Sequence, residues 1–304
     1  MRPFEIGVVL VTGQVGPERV TARWSELRDL ALRAEAIGFD TAWTIDELLW
    51  RPADRPPIGF WDGVAMAGAV AAVTSRIKVG TWVMSALHRN PGITAKAAET
   101  LDEISGGRFV FGLGAGHVWP GQARAFGLPE DHVYARFEEA LEIIVPLLRG
   151  GRADFEGTWH AAHDLEQRPL GPRPGRIPIM LGGHGPKGMR HAARLADIWS
   201  CYAEERSDVA ELGPRVAALE AACAETGRDP ATIGRSAGID VAPGSGPGAA
   251  GVPKGAITGS AEEIADACRA LHAAGYTHLE CGLYPMSAAS LEAMAPVLAL
   301  LDAG

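Results

Sequence analysis

Three short stretches of the 304-residue sequence have residue types and spacings that could do chemistry. The first is ISGGRFVFGLGAG, Ile104 to Gly116, followed at once by His117. Gly112, Gly114 and Gly116 fall at alternate positions of an apolar, β-prone run, so they share one face of an extended chain. A strand face without side chains admits either a neighbouring backbone or a flat ligand. His117 then stands where a proton could pass to a bound substrate, imidazole being the side chain that titrates near neutrality; a surface loop histidine is the other reading. The second stretch is IPIMLGGHGPKGMRHAARLA, in which a buried strand passes through Gly182, Gly183, His184 and Gly185 into a helix beginning near Pro186 and Lys187. Such a turn aims helix N-terminal amides outward, which suits a phosphate, with Lys187 as an added charge; a tight strand–helix turn needs the same glycines. The third is the pair Asp46-Glu47, fit for acid/base work, for accepting hydrogen bonds from a ring, or for ordering the loop they open.

These stretches need a frame. FEIGVVLV (from Phe4) reads as a strand, Trp24 to Ile37 as a helix stopped by Gly38, and FDTAWTI as a second strand ending at Asp46. The Pro-rich run Leu48 to Phe60 excludes helix and strand alike. A helix over Phe60 to Thr74, a strand over Ile77 to Met84 and a helix opened by Pro91 lead into the glycine-laced fourth strand. After the loop GHVWPGQARAFGLPEDH comes an amphipathic helix, Tyr134 to Leu148, then an excursion over about 150–176 with a hairpin through DFEGTWH. Ile177 to Leu181, Asp197 to Tyr202, Ser236 to Val241 and His278 to Leu283 are four more strands. Helices over Met189 to Leu195, Val209 to Thr226, Ala261 to Ala274 and Ala289 to Leu301 follow them in turn. The Gly/Pro-rich run Pro243 to Gly259 reads as a mobile loop or lid.

Eight strands alternating with about eight helices is the count of an α/β protein built as a (β/α)₈ TIM barrel with insertion loops, a single domain over 1–304; a doubly wound sheet is the alternative. Near-continuous apolar strands fit parallel pairing with both faces covered. A hydrophobic share of 47% against 21% charged supplies an ordinary globular core. With a net charge of -9 and no basic block, nucleic acid and membrane surfaces are poor partners. Four scattered cysteines form no CxxC pair, and the chain opens without a signal-like segment, so a cytoplasmic protein is expected.

In a barrel the chemistry gathers at the C-terminal strand ends. Those ends carry Thr12, Asp46-Glu47, Ser85 with His88-Arg89-Asn90, Gly114-Gly116-His117, Gly183-His184-Gly185, Cys201-Tyr202, Asp240 and Tyr284. His117 and His184 have no third ligand spaced to join them, so no metal is expected. Trp43, Trp50, Trp61, Trp82 and Trp119 lie near strand ends or their loops, as core filling or as an aromatic pocket for a planar ligand. GxxxxGK[ST] is absent, so the glycine turn is not a P-loop.

The combination resembles the bacterial luciferase-like superfamily of flavin and deazaflavin oxidoreductases over nearly the whole chain. The resemblance rests on IKVGTWVMS, NPGITAKAAETLDEISGGRFVFGLGAG, ARFEEALEII with its FEGTWH sequel, IPIMLGGHGPKGMRHAARLADIWS and AGYTHLECGLYP. It implies a (β/α)₈ barrel that binds coenzyme F420 or, alternatively, FMN, the latter often as reduced flavin from a partner reductase. It also implies a ring resting on a bulge of the third strand, with a cis peptide at Trp82-Val83. The phosphate is then expected near Gly182 to Lys187 and near the tip Gly114, Ala115 and Gly116. Where sugar-phosphate dehydrogenases of the deazaflavin branch have a histidine after the second-strand aspartate and a glutamate after the glycine tip, this chain has Glu47 and His117. The luciferases' second-strand histidine is missing too, so neither sugar-phosphate oxidation nor light emission is assigned.

The expectation is an F420-dependent oxidoreductase moving a hydride between the deazaflavin and a small organic substrate, with Asp46, Glu47 and His117 in polar and proton-transfer roles. The alternatives are a two-component FMN monooxygenase using O₂ and a flavin-binding barrel without turnover. A hydrolase or aldolase would need a metal cluster or a strand-end lysine, and neither is seen. A homodimer is the common assembly of such barrels.

Overall fold

The structure is a computed structural model that describes residues 2–15, 20–52, 56–117 and 121–303. Its barrel strands are β1 (Glu5–Leu10), β2 (Thr41–Thr44), β3 (Lys78–Thr81), β4 (Phe109–Gly114), β5 (Ile179–Gly182), β6 (Ile198–Tyr202), β7 (Gly234–Pro243) and β8 (His278–Leu283). All pair in parallel. Val8 lies between Ala42 and Cys281, and the pairing of Met180 with Gly112 joins β5 to β4. The sheet therefore closes on itself as a (β/α)₈ barrel, and the doubly wound alternative, an open sheet, is excluded.

The principal helices are α1 (Trp24–Ile37), α2 (Gly63–Val73), α3 (Pro91–Ser105), α4 (Val133–Gly150), α5 (Pro186–Leu195), α6 (Val209–Thr226), α7 (Ala261–Ala273) and α8 (Ala288–Ala303). Their ends follow local chemistry. Asn90 caps α3 by accepting from the Gly92 amide at 2.9 Å, and Gly106 ends it in the left-handed region at φ 64°. Ser260 and Glu263 form a reciprocal capping box on α7.

Two cores result. The outer one lies between strands and helices; on α4 it takes Phe137, Leu141, Ile144 and Leu148, spaced three or four apart on one face. The inner one fills the barrel with Val9, Trp43, Val110 and Met180, joined by Trp82, Val83 and Ile198. Glycines leave room for the two indoles. A Cβ at Gly80 would collide with Trp43, one at Gly7 with Trp43 and Glu280, and one at Gly238 with Trp82.

Several sequence expectations change. The Leu48 to Phe60 run contains two paired segments, Leu49–Trp50 and Ile58–Gly59, antiparallel to each other. Each is two residues long and lies clear of Pro52, Pro56 and Pro57, so the missing proline amides take no part in the pairing. The third strand is not continuous over Ile77 to Met84: after β3 the chain breaks at a cis Trp82-Val83 bond, and Met84–Ser85 then pairs with β4. A short helix, Gln122–Phe126, interrupts the loop after β4. The run Pro243 to Gly259 ends in a strand, Ile257–Gly259, parallel to the tip of β7.

The hairpin stands where expected, Arg152–Glu156 against Ala161–Glu166. Glu139 of α4 orders its turn by accepting from the amides of Thr158, Trp159 and His160 at 2.7–2.9 Å. No helix among the described residues is long and apolar enough to cross a membrane.

Candidate active site

A cavity of about 630 Å³ opens at the C-terminal ends of the barrel strands. It is lined by Asp46, Glu47, Trp82, Val83, Ser85, Gly114, Ala115, Gly116, His117, Gly182, Gly183, His184 and Gly185, all candidates from the sequence. Four stretches far apart in the chain thus share one space. Two other candidates do not line it. Pro186 and Lys187 are exposed, and the Lys187 ammonium lies 5.6 Å from the centre of the Tyr134 ring. The charge expected beside a phosphate is instead drawn to an aromatic face. Of the described tryptophans proposed for an aromatic pocket, only Trp82 lines the cavity. Trp43 fills the barrel, Trp61 is exposed with its N–H on the Ala22 carbonyl, and Trp119 lies outside the described residues.

The floor is built around the break in the third strand. Val83 packs where side chains are absent from its neighbours: a Cβ on Gly114 would come within 2.9 Å of Val83 Cγ2, and one on Gly182 within 3.4 Å. Gly112, deeper in β4, faces the Thr81 carbonyl, so its lack of a side chain serves strand packing. Gly116 takes φ 94° and crowds Ser85 Oγ and Leu87. The bare face of β4 therefore accommodates the third strand, and Val83 is the surface presented to the cavity above it.

Asp46 holds this arrangement from beneath. Its side chain is fully buried and accepts from the Ser85 amide at 3.0 Å and from both Arg89 nitrogens, at 2.7 and 3.0 Å. Arg89 also reaches Asp62 at 2.8 Å. His88 Nδ1 stands 3.3 Å from Asp46 but off the line of a hydrogen bond. Burial raises the Asp46 pKa; the His88 ring and the bidentate Arg89 outweigh it and bring the carboxyl to about 2. A carboxylate so committed orders the loop and is unsuited to trading protons at neutral pH, which revises the acid/base expectation for Asp46. Glu47 and His117 do face the cavity.

The loop after β4 is tied to the same cluster. Gln122, buried, accepts from the amides of Leu48 and Leu49 at 3.2 and 2.8 Å, and its amide nitrogen stands 3.5 Å from His88 Nε2. On the opposite wall, Gly185 precedes α5 without offering a side-chain cap, and Gly185 and Gly188 both line the cavity. A helix N-terminus lacking a side-chain acceptor favours an anion. His184 and Tyr202 meet edge to face at the rim, 6.3 Å between ring centres.

The comparisons enter here. Residues 4–251 match the family model described as luciferase-like monooxygenase, most of the chain. The chain belongs to that family. Among the relatives of this luciferase-like chain is the F420-dependent glucose-6-phosphate dehydrogenase of Nakamurella multipartita, 34% identical over 214 residues, covering 64% of this chain and 55% of that protein. Another is the pyrimidine monooxygenase RutA of Enterobacter cloacae, 32% identical over 178 residues, covering 56% of this chain and 48% of that protein. The chain thus spans only about half the length of these relatives. An F420-dependent secondary alcohol dehydrogenase solved with an F420-acetone adduct superposes with a TM-score of 0.82, covering 99% of each chain. At 19% identity that likeness speaks for the barrel fold alone.

Sequence reasoning missed Tyr134 and Ser200, which also line the cavity. Ser200 had a signal: it shares the inward face of β6 with Tyr202 by the two-residue period. Tyr134 had none, since only the path of the chain through Gly121 to His132 brings the start of α4 over the barrel mouth.

Proposed function

We propose that the cavity holds coenzyme F420 and that the chain is an oxidoreductase passing a hydride between this deazaflavin and a small organic substrate. The observation that carries the proposal is the convergence, in one cavity of about 630 Å³, of the Val83 floor, the glycine tip of β4 and the uncapped start of α5. A volume of that order is what a cofactor-sized ligand needs. Val83 with Gly114 and Gly182 gives an apolar floor on which a planar ring can rest. Gly183, His184 and Gly185 stand where an anionic group would meet the α5 N-terminus. When bound, the deazaflavin supplies a carbon that takes or gives a hydride and reacts poorly with oxygen. The protein excludes water and orients the partners. Glu47 and His117 are the groups placed to hold or move a proton at the substrate, and Asp46 positions Ser85 and the floor.

A second reading, an FMN-dependent monooxygenase fed with reduced flavin by a partner reductase, draws support from the likeness to the pyrimidine monooxygenase. Fluorescence titration with F420, FMN and reduced FMN separates the two. F420 binding alone supports the dehydrogenase or reductase reading, and binding of reduced FMN alone supports the monooxygenase. Binding without turnover of any substrate supports a carrier, and binding of none of them sinks the cofactor site. Gly185→Leu is the site-specific check. The backbone there is extended and a Cβ at Gly185 meets nothing within 4 Å, so the substitution should cost no more than about 1 kcal/mol of stability. Ring affinity should fall at least tenfold; unchanged affinity removes this turn from the site.

A further inference from the structure

A second polar system lies below the cavity, inside the barrel. Glu280 of β8 points inward and is buried. Its Oε2 accepts the Trp43 indole N–H, and its Oε1 accepts from Ser236 Oγ at 3.1 Å. Ser236 in turn lies 3.4 Å from Ser200 Oγ, and Ser200 accepts the Trp82 indole N–H at 3.0 Å. Ser200 and Trp82 both line the cavity. A continuous row of hydroxyls therefore joins a buried carboxyl to the cavity floor, with an indole donating at each end.

We infer that Glu280, Ser236 and Ser200 form a proton-carrying chain whose sense is set by Glu280 and read in the cavity through the Ser200 hydroxyl. The indoles can only donate, so they fix the two ends, and only the hydroxyl row can reverse. With Glu280 ionised, Ser236 donates to Oε1 and Ser200 donates to Ser236; Ser200 then has no proton to offer the cavity. With Glu280 protonated at Oε1, it donates to Ser236 and Ser236 donates to Ser200. The Ser200 proton is then available to a ring nitrogen or carbonyl oxygen above it. If that acceptor takes the proton, Ser200 takes one from Ser236 and Ser236 takes one from Glu280. One O–H bond is lost at the carboxyl, one bond to hydrogen is gained at the acceptor, and no electrons are transferred.

The surroundings suit this use. Burial pushes Glu280 up to about 8, against the hydrogen bonds from Ser236 and Trp43, while the negative charges of Glu5 and Asp40 push it the same way as burial. Glu5 is held by Lys78 at 2.5 Å and lies 3.7 Å from His278; Asp40 is held by Arg2 at 2.9 Å. On β7, Arg235 pairs with Glu220 at 3.1 Å, and burial raises Asp240. Among the described residues no cation pairs with Glu280, so its two neutral donors are what it has.

The chain's own titration does not depend on the ligand; only the identity of the acceptor rests on the proposed cofactor. The emission of Trp82, taken as the difference between the parent protein and Trp82→Phe, should change with a midpoint near pH 8. Ser236→Ala should abolish that change, and Glu280→Gln, which cannot ionise, should abolish it too; circular dichroism checks that each variant folds. A Trp82 signal that ignores pH, or one that titrates equally well in Ser236→Ala, overturns the inference. Affinity for F420 or FMN provides the second readout. In the parent it should fall roughly fivefold or more above pH 8, the worth of one hydrogen bond, and in Glu280→Gln it should stay flat. Ring binding with the same pH profile in all three proteins also overturns the chain. No ring binding at all speaks against the cofactor site, and the Trp82 signal then decides for or against the chain.

Discussion

Arg89 and Asp46 show how much of the site depends on one pair. Asp46 is fully buried and receives its compensation chiefly from the two-pronged Arg89. Removing the guanidinium strands a carboxylate in the protein interior, a loss of about 3–5 kcal/mol. Arg89→Ala should therefore lower the urea midpoint sharply. Arg89→Lys, which keeps charge but not the fork, should recover only part of it. Both variants should also weaken ring binding, because the Ser85 amide loses its fixed partner. Stability unchanged in Arg89→Ala would show that Asp46 is protonated or solvated, contrary to the geometry.

For the strands, the informative contrast is between glycines that look alike in the sequence. Gly112 sits against the Thr81 carbonyl, so the Cβ of Gly112→Ala cannot be relieved by turning a side chain. β3 and β4 would have to separate, and the expected loss is at least the 1–3 kcal/mol typical of overpacked cores, read as a lower melting temperature. Gly185, next to open space, should tolerate substitution in stability while losing affinity. A Gly112→Ala protein as stable as the parent would show that the two strands yield more easily than their packing suggests.

For the molecule as a whole, three carboxyls set opposing pH limits. Glu35 accepts the amides of Ser75, Arg76 and Ile77 at 2.6–3.0 Å; burial raises its pKa, but these bonds bring it to about 2, close to that of Asp46. Groups with depressed folded pKa values stabilise the fold above their unfolded values, and that stability is lost as pH falls from about 4.5 toward 2. Glu280 has the opposite sign. Its folded value of about 8 lies above the ordinary 4.5, so its contribution is complete at low pH and is lost as pH rises through that window. The urea midpoint should therefore peak near pH 5 and decline on both sides. Glu280→Gln should remove the alkaline decline and leave the acid limb; an alkaline limb that survives in Glu280→Gln would assign it to other groups.

Much of this was legible in the chain because it follows from local rules. Periodicity and glycine stops located the eight barrel strands and the eight long helices, and FEGTWH marked the hairpin of the excursion. The glycine tip, the glycine turn and Asp46-Glu47 marked most of one wall of the cavity because strand ends converge in a barrel. What the sequence left open depended on neighbours distant in the chain. Whether Gly114 bares itself to a ligand or makes room for Val83 is decided by the register of β4 against the broken third strand. Whether Asp46 carries protons or holds a loop is decided by Arg89, a loop residue 43 positions away. Glu280 lies within the strand run His278 to Leu283, and only closure of the barrel brings Trp43, Ser236 and Ser200 around it. Local propensity selects the elements, but the charge state and partners of a buried group are set by what the closed fold places against it.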